Sequence, residues 1–460
     1  MKKLICLPVE LYQREMYPKL YMAVMAAERG FQVLVGYHND SVFVKIKDGF
    51  YFYKDHAVCS EKRLEAQKKN GMILGVLDEE GLIYDEERYI RLRASKKLLD
   101  MIDYVFLWGG RQSKTIEKVS PIPNNKFVVG SPKFDYYFLN KKVLTFPKNR
   151  INVLVNTRFT YVHGYRRGGE LDVLRDLGFF ATKEDELDFL SFIEDDKKIC
   201  YQFEKLIETM AFDGRFNLTV RPHPAEDIGY YQKYESLYEW VKVNNSDSLM
   251  EQLLANDVMV HDGCTTAIEA RALGIPVMGL RPSGLTNPYN DYANNFSLNF
   301  ESHKDLIAHL SNSKNLFDLC EGQPSVDYEA SINIENWDGR SKAIDNILDL
   351  VDRAKLAEQK IIKNYFCSKF SIFEIKCFLS KKANSYKKIE NILSIILPKK
   401  KMSALMSYQA IIDAKYPKVD IDVIKSEVAK ISKMISFDDF SERFLVTSVS
   451  DYSFLIIKSD

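Results

Sequence analysis

Residues 217–224 read Asn217-Leu218-Thr219-Val220-Arg221-Pro222-His223-Pro224. A short apolar and β-branched run ends in a rigid polar turn. Proline on each side of His223 fixes φ and removes backbone donors, so the run stops as a strand with an imidazole at its tip. Outward from this stretch the same pattern recurs. Strands are predicted at 151–155, 217–220, 257–260 and 276–280, the last clear one, with helices over 183–211 and 246–254 and another opening near Cys264. Upstream, strands at 3–9, 31–36, 72–77, 104–108 and 127–129 alternate with helices at 18–29, 60–69, 86–100 and 111–118. Short apolar strands alternating with amphipathic helices are the mark of open parallel α/β sheets. The Lys/Pro/Asn stretch at 142–150 separates two such series. The expectation is two Rossmann-like, doubly wound domains facing a cleft, at 1–142 and 150–340, followed by a helical, Lys-rich region at 341–460. Ligands of such sheets lie beyond the carboxyl ends of the strands.

The length of 460 residues agrees with two to three domains. Apolar residues at 46% and charged residues at 28% exclude a mostly disordered chain. Lys plus Arg and Asp plus Glu each number 64, so no global charge grips nucleic acid. The seven cysteines include no C-x-x-C pair, which argues against a disulfide framework or a structural zinc and for a reducing cytoplasm. Leu4–Val9 is too short for a signal-peptide core, and no apolar stretch is long enough to span a membrane. Residues 381–401 hold seven Lys against one Glu. A helix packing its apolar face on the protein, with Lys in solvent, is the plain reading. Peripheral contact with the inner membrane, or with capsule-assembly proteins, is the sharper one.

Three motifs sit where strands end. His223 can donate to a phosphate and Arg221 adds a cation; a turn with a surface histidine is the alternative. In His261-Asp262-Gly263-Cys264-Thr265-Thr266-Ala267-Ile268-Glu269-Ala270, Gly263 permits a tight turn and Thr265 and Thr266 open a helix with hydroxyls and free N–H groups. Glu269, one turn later, can accept from sugar hydroxyls; the alternative is a threonine cap and an ordinary helical glutamate. Together these loops describe one phosphate-binding crevice. Asp78-Glu79-Glu80-Gly81 crowds carboxylates at a strand end, which suits general acid/base work if it is not merely a solvated acidic turn. Asn156-Thr157-Arg158 and His163 can line the cleft, and Arg166-Arg167-Gly168-Gly169 reads as a basic loop or a connection. Glu194-Asp195-Asp196, beside Lys197-Lys198, reads as a solvated helix face, and the histidines show no metal spacing.

Asp78-Glu79-Glu80-Gly81, Val129-Gly130-Ser131-Pro132-Lys133-Phe134-Asp135, Arg221-Pro222-His223-Pro224 with Glu226, and the 261–270 segment occur in this order. As a set, over about residues 70–300, they resemble the bacterial surface-carbohydrate biosynthesis proteins, which are GT-B-type glycosyltransferases. The nearest relatives by this resemblance are the capsule and lipopolysaccharide O-antigen Kdo transferases, which use CMP-β-Kdo. A His-Pro pair followed by a Ser/Thr motif also marks bacterial sialyltransferases and polysialyltransferases. The resemblance implies that His223 and Pro224 hold the CMP phosphate, that Thr265 and Thr266 receive it, and that Glu269 contacts ribose. It implies Glu80 as the acid/base, with Glu79 its rival. The donor would be a CMP-activated nonulosonic acid, and the acceptor a glycan or lipid-linked glycan. No cofactor and no metal are expected, and the protein would act in the cytoplasm, at the inner membrane if peripheral. A CDP- or UDP-linked donor, a UDP-sugar 2-epimerase and a non-catalytic glycan-assembly protein are the alternatives. The sequence departs from the family at Gly130-Ser131-Pro132-Lys133 and at Asp262, whose carboxylate would repel a phosphate unless it turns away or binds sugar.

Overall fold

The computed structural model describes residues 1–82, 86–121, 125–143, 150–164, 174–175, 180, 182–223, 225–285, 291–325, 327–337, 339, 341–360, 362, 416, 418–436 and 443–459. The chain divides into two compact units, Met1–Leu139 with Glu329–Asp460, and Asn140–Tyr328. It enters the first unit through β1 (Lys2–Val9), β2 (Gln32–Tyr37), β3 (Gly49–Tyr53), β4 (Met72–Leu77), β5 (Tyr104–Leu107) and β6 (Lys126–Val128). The second unit holds β7 (Ile151–Asn156), β8 (Phe216–Arg221), β9 (Val241–Val243), β10 (Val258–His261), β11 (Val277–Leu280) and β12 (Leu298–Phe300). The chain then returns to the first unit with β13 (Glu358–Gln359), β14 (Phe444–Ser450) and β15 (Ser453–Lys458).

The first sheet runs β14-β15-β2-β1-β3-β4-β5-β6, and β13 pairs with β1 off this path. Strands β1 to β6 are mutually parallel, while β15 joins β2 antiparallel with Phe454 opposite Val35. The second sheet, β12-β11-β10-β7-β8-β9, is parallel throughout. Its first and fourth strands, β7 and β10, lie side by side, which is the switch point of a Rossmann sheet. Two doubly wound α/β units match the fold class expected of a GT-B-type chain.

Helices cover the faces, so the central strands are apolar on both sides. In the second unit, Val153, Val155, Leu218 and Val220 pack with Phe203, Leu206, Ile207 and Met210 of the helix Lys183–Asp213. That helix starts where the Thr182 side chain accepts from the Asp185 N–H, with Glu184, Asp185 and Glu186 against the positive end of the dipole.

Several expectations need correction. The first helix is Tyr12–Glu28 and carries Pro18 inside, so the proline does not mark its start. Strands β3, β9 and β12 were not anticipated. The expected helical region at 341–460 contains strands at its end, because two runs rich in apolar and β-branched residues flank the Asp451 turn and complete the first sheet. Residues 329–340 belong to the first unit, not the second. The Lys-rich segment 381–401 lies outside the described residues. No helix among the described residues is long and apolar enough to cross a membrane.

The Gly130-Ser131-Pro132 motif holds the returning chain to the first unit. Asn336 accepts from the Ser131 N–H at 3.0 Å and donates to the Ser131 carbonyl at 3.1 Å and to Asp135 Oδ1 at 2.5 Å. Asp135 also accepts from the Ile344 N–H at 2.8 Å. Burial pushes the Asp135 carboxyl up to about 6.

Candidate functional site

Parallel strands place all their carboxyl ends on one edge of the sheet. In the second unit this edge carries the turns after β7, β8 and β10. The guanidinium of Arg158, after β7, donates from Nε to the Asp262 carbonyl at 2.7 Å and from Nη2 to Asp262 Oδ2 at 2.6 Å. Its Nη1 lies 3.1 Å from Asp196 Oδ1. Asp262 and Asp196 are buried, at 1% and 0% exposure. Burial pushes the Asp196 carboxyl up to about 6, with Arg158 opposing and Asp262 adding to the rise. Asp196 is therefore the partner of Arg158, which corrects the solvated helix face expected at 194–196. Its relevance was invisible in the sequence because Lys197 and Lys198 follow it.

Asp262 turns inward, with 1% of its surface exposed. Asn294 locks the turn by accepting from the Gly263 N–H at 2.9 Å and reaching Asp262 Oδ1 at 3.4 Å, and Arg281 lies 3.6 Å from the same oxygen. Gly263 has φ +58, a conformation that L side chains avoid. His261 is wholly buried; its Nδ1 accepts from the Cys264 N–H at 3.2 Å and its Nε2 meets Ser297 Oγ at 2.6 Å, which assigns the proton to Nε2. Burial, with Arg158 adding to it and Asp262 opposing, brings its pKa down from 6.5 to about 4. Above pH 6.5 the folded and unfolded states both hold it neutral. Between about 6.5 and 4 only the unfolded chain takes the proton, so stability is lost as the pH falls. The loss at the acid end is about 3 kcal/mol. Chemical denaturation across this range is expected to show that slope in the wild type and a shallower one in His261→Asn.

The turn after β8 is built around Glu226, which is 0% exposed. It accepts from the His223 N–H at 2.7 Å, the Thr157 hydroxyl at 2.8 Å and the Tyr231 hydroxyl at 2.8 Å. The Ala225 N–H donates to His223 Nδ1 at 3.2 Å, which leaves the proton on Nε2. His223 Nε2 has no hydrogen-bond partner among the described residues, and the side chain is exposed. Partial burial of the ring and the cations of Arg158 and Arg221 keep the histidine below its ordinary pKa. It is a neutral N–H donor at neutral pH.

The remaining candidates divide. Thr265 precedes the short helix Thr266–Ala272, and its side chain makes no cap bond. The Thr266 hydroxyl meets Cys264 Sγ at 3.1 Å, and Glu269 is buried and engaged within the protein. Arg221 donates to the Asp247 carbonyl at 3.1 Å and to Gln252 Oε1 at 2.9 Å, so its guanidinium serves the β8–β9 side of the sheet. Pro224 and the Arg166–Gly169 loop lie outside the described residues. The sequence does not mark the pairing of Arg158, whose partners Asp196 and Asp262 are distant in the chain, or that of Glu226, which also holds Thr157 across 69 residues.

In the first unit, the Asp78-Glu79-Glu80-Gly81 turn follows β4. Asp78 is 0% exposed and accepts from Tyr89 at 2.8 Å, from Arg93 Nε at 3.0 Å and from the Glu80 N–H at 3.1 Å. Burial alone would push its carboxyl up; the Arg93 cation outweighs this and holds it below the usual range. Gly81 packs against Trp108, where a Cβ would come within 2.5 Å of the indole. Glu80 is half-exposed and paired with Arg14 at 2.7 Å. Glu79 instead lines a pocket with Arg14, Glu15, Lys19 and Lys133. It lies 3.5 Å from Lys19 Nζ, which is held by Glu15 at 2.8 Å and by the Pro8 carbonyl at 2.7 Å. Burial raises the Glu79 pKa, the Glu15 carboxylate adds to this, and Lys19, Arg14 and Lys133 oppose it. Glu79 is thus the carboxyl of this turn whose pKa burial raises.

Each unit holds a doubly wound α/β sheet with polar turns at its carboxyl edge. No protein-family model matches the chain, and no curated protein matches it. Among solved structures, it is similar to an S. aureus MnaA–UDP complex, with 12% identity, a TM-score of 0.47, and coverage of 76% of this chain and 96% of that one. It is similar to a UDP-GlcNAc 2-epimerase of Methanocaldococcus jannaschii, with 15% identity, a TM-score of 0.43, and coverage of 77% and 100%. It is also similar to the wall teichoic acid polymerase TagF, with 10% identity, a TM-score of 0.42, and coverage of 76% and 87%. These are likenesses of chain trace and carry no substrate to this protein.

Proposed function

We propose that the protein is a nucleotide-sugar-dependent enzyme, in first reading a glycosyltransferase, whose second unit binds the phosphate of the donor at the carboxyl edge of β7, β8 and β10. The observation that carries this reading is His223. Its ring is fixed through Glu226 and the Ala225 N–H, it stays neutral, and it presents Nε2–H outward beside the switch point. Arg158 is already balanced by Asp262 and Asp196, so phosphate stabilisation falls on neutral donors: His223 Nε2–H and the hydroxyls of Thr265 and Thr266. Such donors need no reorganisation as charge develops on the leaving phosphate. The reading assigns the acid/base role to Glu79, whose raised pKa keeps it close to the range where it can exchange protons.

The finer donor, CMP-Kdo, rests on the resemblance of the four motifs, and the acceptor would be a surface glycan or its lipid-linked primer. The reaction is placed in the cytoplasm, in keeping with the free cysteines 6, 59, 200, 264 and 320. A thermal-shift panel of CMP, CDP, UDP, UMP and GDP tests the site. The expected result is selective stabilisation by one nucleotide, with binding about 10- to 100-fold weaker in His223→Ala, the loss of one hydrogen bond to a charged group. Stabilisation by UDP or CDP instead of CMP removes the Kdo assignment. Release of an epimer from a UDP-sugar without acceptor assigns a 2-epimerase. Failure of every nucleotide to bind overturns the reading.

A further inference from the structure

Side chains from two separate stretches of the chain meet in the second unit. His163 lies in the turn after β7, and Cys200 and Glu204 sit one helical turn apart on the same face of the helix Lys183–Asp213. His163 Nε2 is 2.9 Å from Glu204 Oε1 and 3.2 Å from Cys200 Sγ, and Cys200 Sγ is 3.8 Å from the same carboxylate oxygen. One ring nitrogen thus faces both a thiol and a carboxylate. A single N–H cannot serve both well, whereas a cation at their common centre would satisfy all three lone pairs. Tetrahedral zinc has bonds of about 2.3 Å to sulfur and about 2.0–2.2 Å to nitrogen and oxygen, which puts neighbouring ligand atoms roughly 3.3–3.6 Å apart. The observed separations bracket that range, so shifts of a few tenths of an ångström close the site.

The surroundings are those of a supported ligand set. His163 stacks on Tyr230 with ring centroids 3.7 Å apart, which fixes the ring, and the Tyr230 hydroxyl donates to Glu204 Oε1. Burial is the main influence on the Cys200 thiol, and the carboxylates of Glu204, Glu226 and Asp196 follow; those carboxylates are the charges a bound cation would balance. Cys200 is buried at 2% exposure, while the side chains of His163 and Glu204 are 14% and 29% exposed, which leaves solvent a route to the cluster.

We propose that His163, Cys200 and Glu204 bind one divalent transition-metal ion of the zinc class, with water in the fourth position. The thiolate ligand selects zinc over magnesium. On binding, Cys200 releases its proton to solvent and the metal–sulfur bond forms in its place. The ion ties the turn after β7 to the long helix. It also braces the His223 turn, because the Asp227 N–H donates to the His163 carbonyl at 2.7 Å and Gly164 pairs with Glu226. The site departs from the sequence expectation of no metal, and it stands whether or not the nucleotide reading does.

The test uses the full, tag-free chain stripped with a chelator. Co2+ is expected to bind at one equivalent with a thiolate charge-transfer band that Zn2+ abolishes, and Zn2+ but not Mg2+ should raise the melting temperature. The band should vanish in Cys200→Ala. Tyr230→Phe, which keeps all three ligands, should weaken Zn2+ by about 10–100-fold. Should Cys200→Ala fail to fold, Glu204→Gln decides, with Zn2+ weakened by at least about tenfold. A wild type with no thiolate band and no zinc-dependent shift overturns the proposal. So does a band that persists in folded Cys200→Ala, or zinc affinity unchanged in Glu204→Gln.

Discussion

Arg158→Met is expected to destabilise the second unit by about 3–5 kcal/mol, the range for breaking a buried ion pair from one side. Methionine approximates the aliphatic stem, so the loss is chiefly electrostatic. Asp262 and Asp196, at 1% and 0% exposure, would be left without their shared counter-charge. The Asp196 carboxyl, already up at about 6, would rise further, and the turn after β10 would lose both of its bonds to Arg158. Urea denaturation measures the cost. Adding Asp196→Asn to Arg158→Met should recover part of it, because one buried charge is then removed with its partner. A single variant as stable as the wild type would mean that Asp262 and Arg281 suffice to hold the turn. Nucleotide stabilisation should be lost in Arg158→Met, since the edge that positions His223 and Thr265 is no longer ordered around a common centre.

Glu79→Gln is expected to lower turnover by about 10²–10⁴-fold with little change in melting temperature, the usual effect of removing a general acid or base. The fold should survive because Lys19 keeps Glu15 at 2.8 Å and the Pro8 carbonyl at 2.7 Å. The pH profile separates catalysis from structure. A base must be deprotonated, so the rate falls as the pH drops through the Glu79 pKa. That pKa is raised by burial and by Glu15, so the acid limb should lie above the ordinary glutamate value of about 4.3 and be missing from Glu79→Gln. Glu80→Gln removes only a half-exposed pair with Arg14 and should retain most activity. If Glu80→Gln is the inactive variant, the acid/base role belongs to Glu80. The assay uses whichever nucleotide sugar the binding panel identifies.

Much of the fold was legible because its signals are local. The apolar runs 72–77, 151–155 and 217–220 each became a parallel strand, and the helix expected over 183–211 runs Lys183–Asp213. The turns after β4, β8 and β10 were legible as polar motifs at strand ends. Strands β14 and β15 were less so, although runs rich in apolar and β-branched residues on either side of Asp451 carried the signal. The Lys-rich composition before them drew the reading towards helix. What makes the strands pair in the first sheet is β2, more than 400 residues away in the chain.

By itself the sequence determined two series of parallel strands, the polar turns that end them, and His223 between prolines at a strand tip. Strand period, turn chemistry and proline geometry act over a few residues, so they can be read without a fold. Only the tertiary structure decided which charges are matched. It paired Arg158 with Asp262 across 104 residues and with Asp196 across 38, set Glu79 against Lys19 and Glu15, and brought His163 to Cys200 and Glu204. Coulomb energy and desolvation depend on distance and burial in space, and neither is written in local sequence.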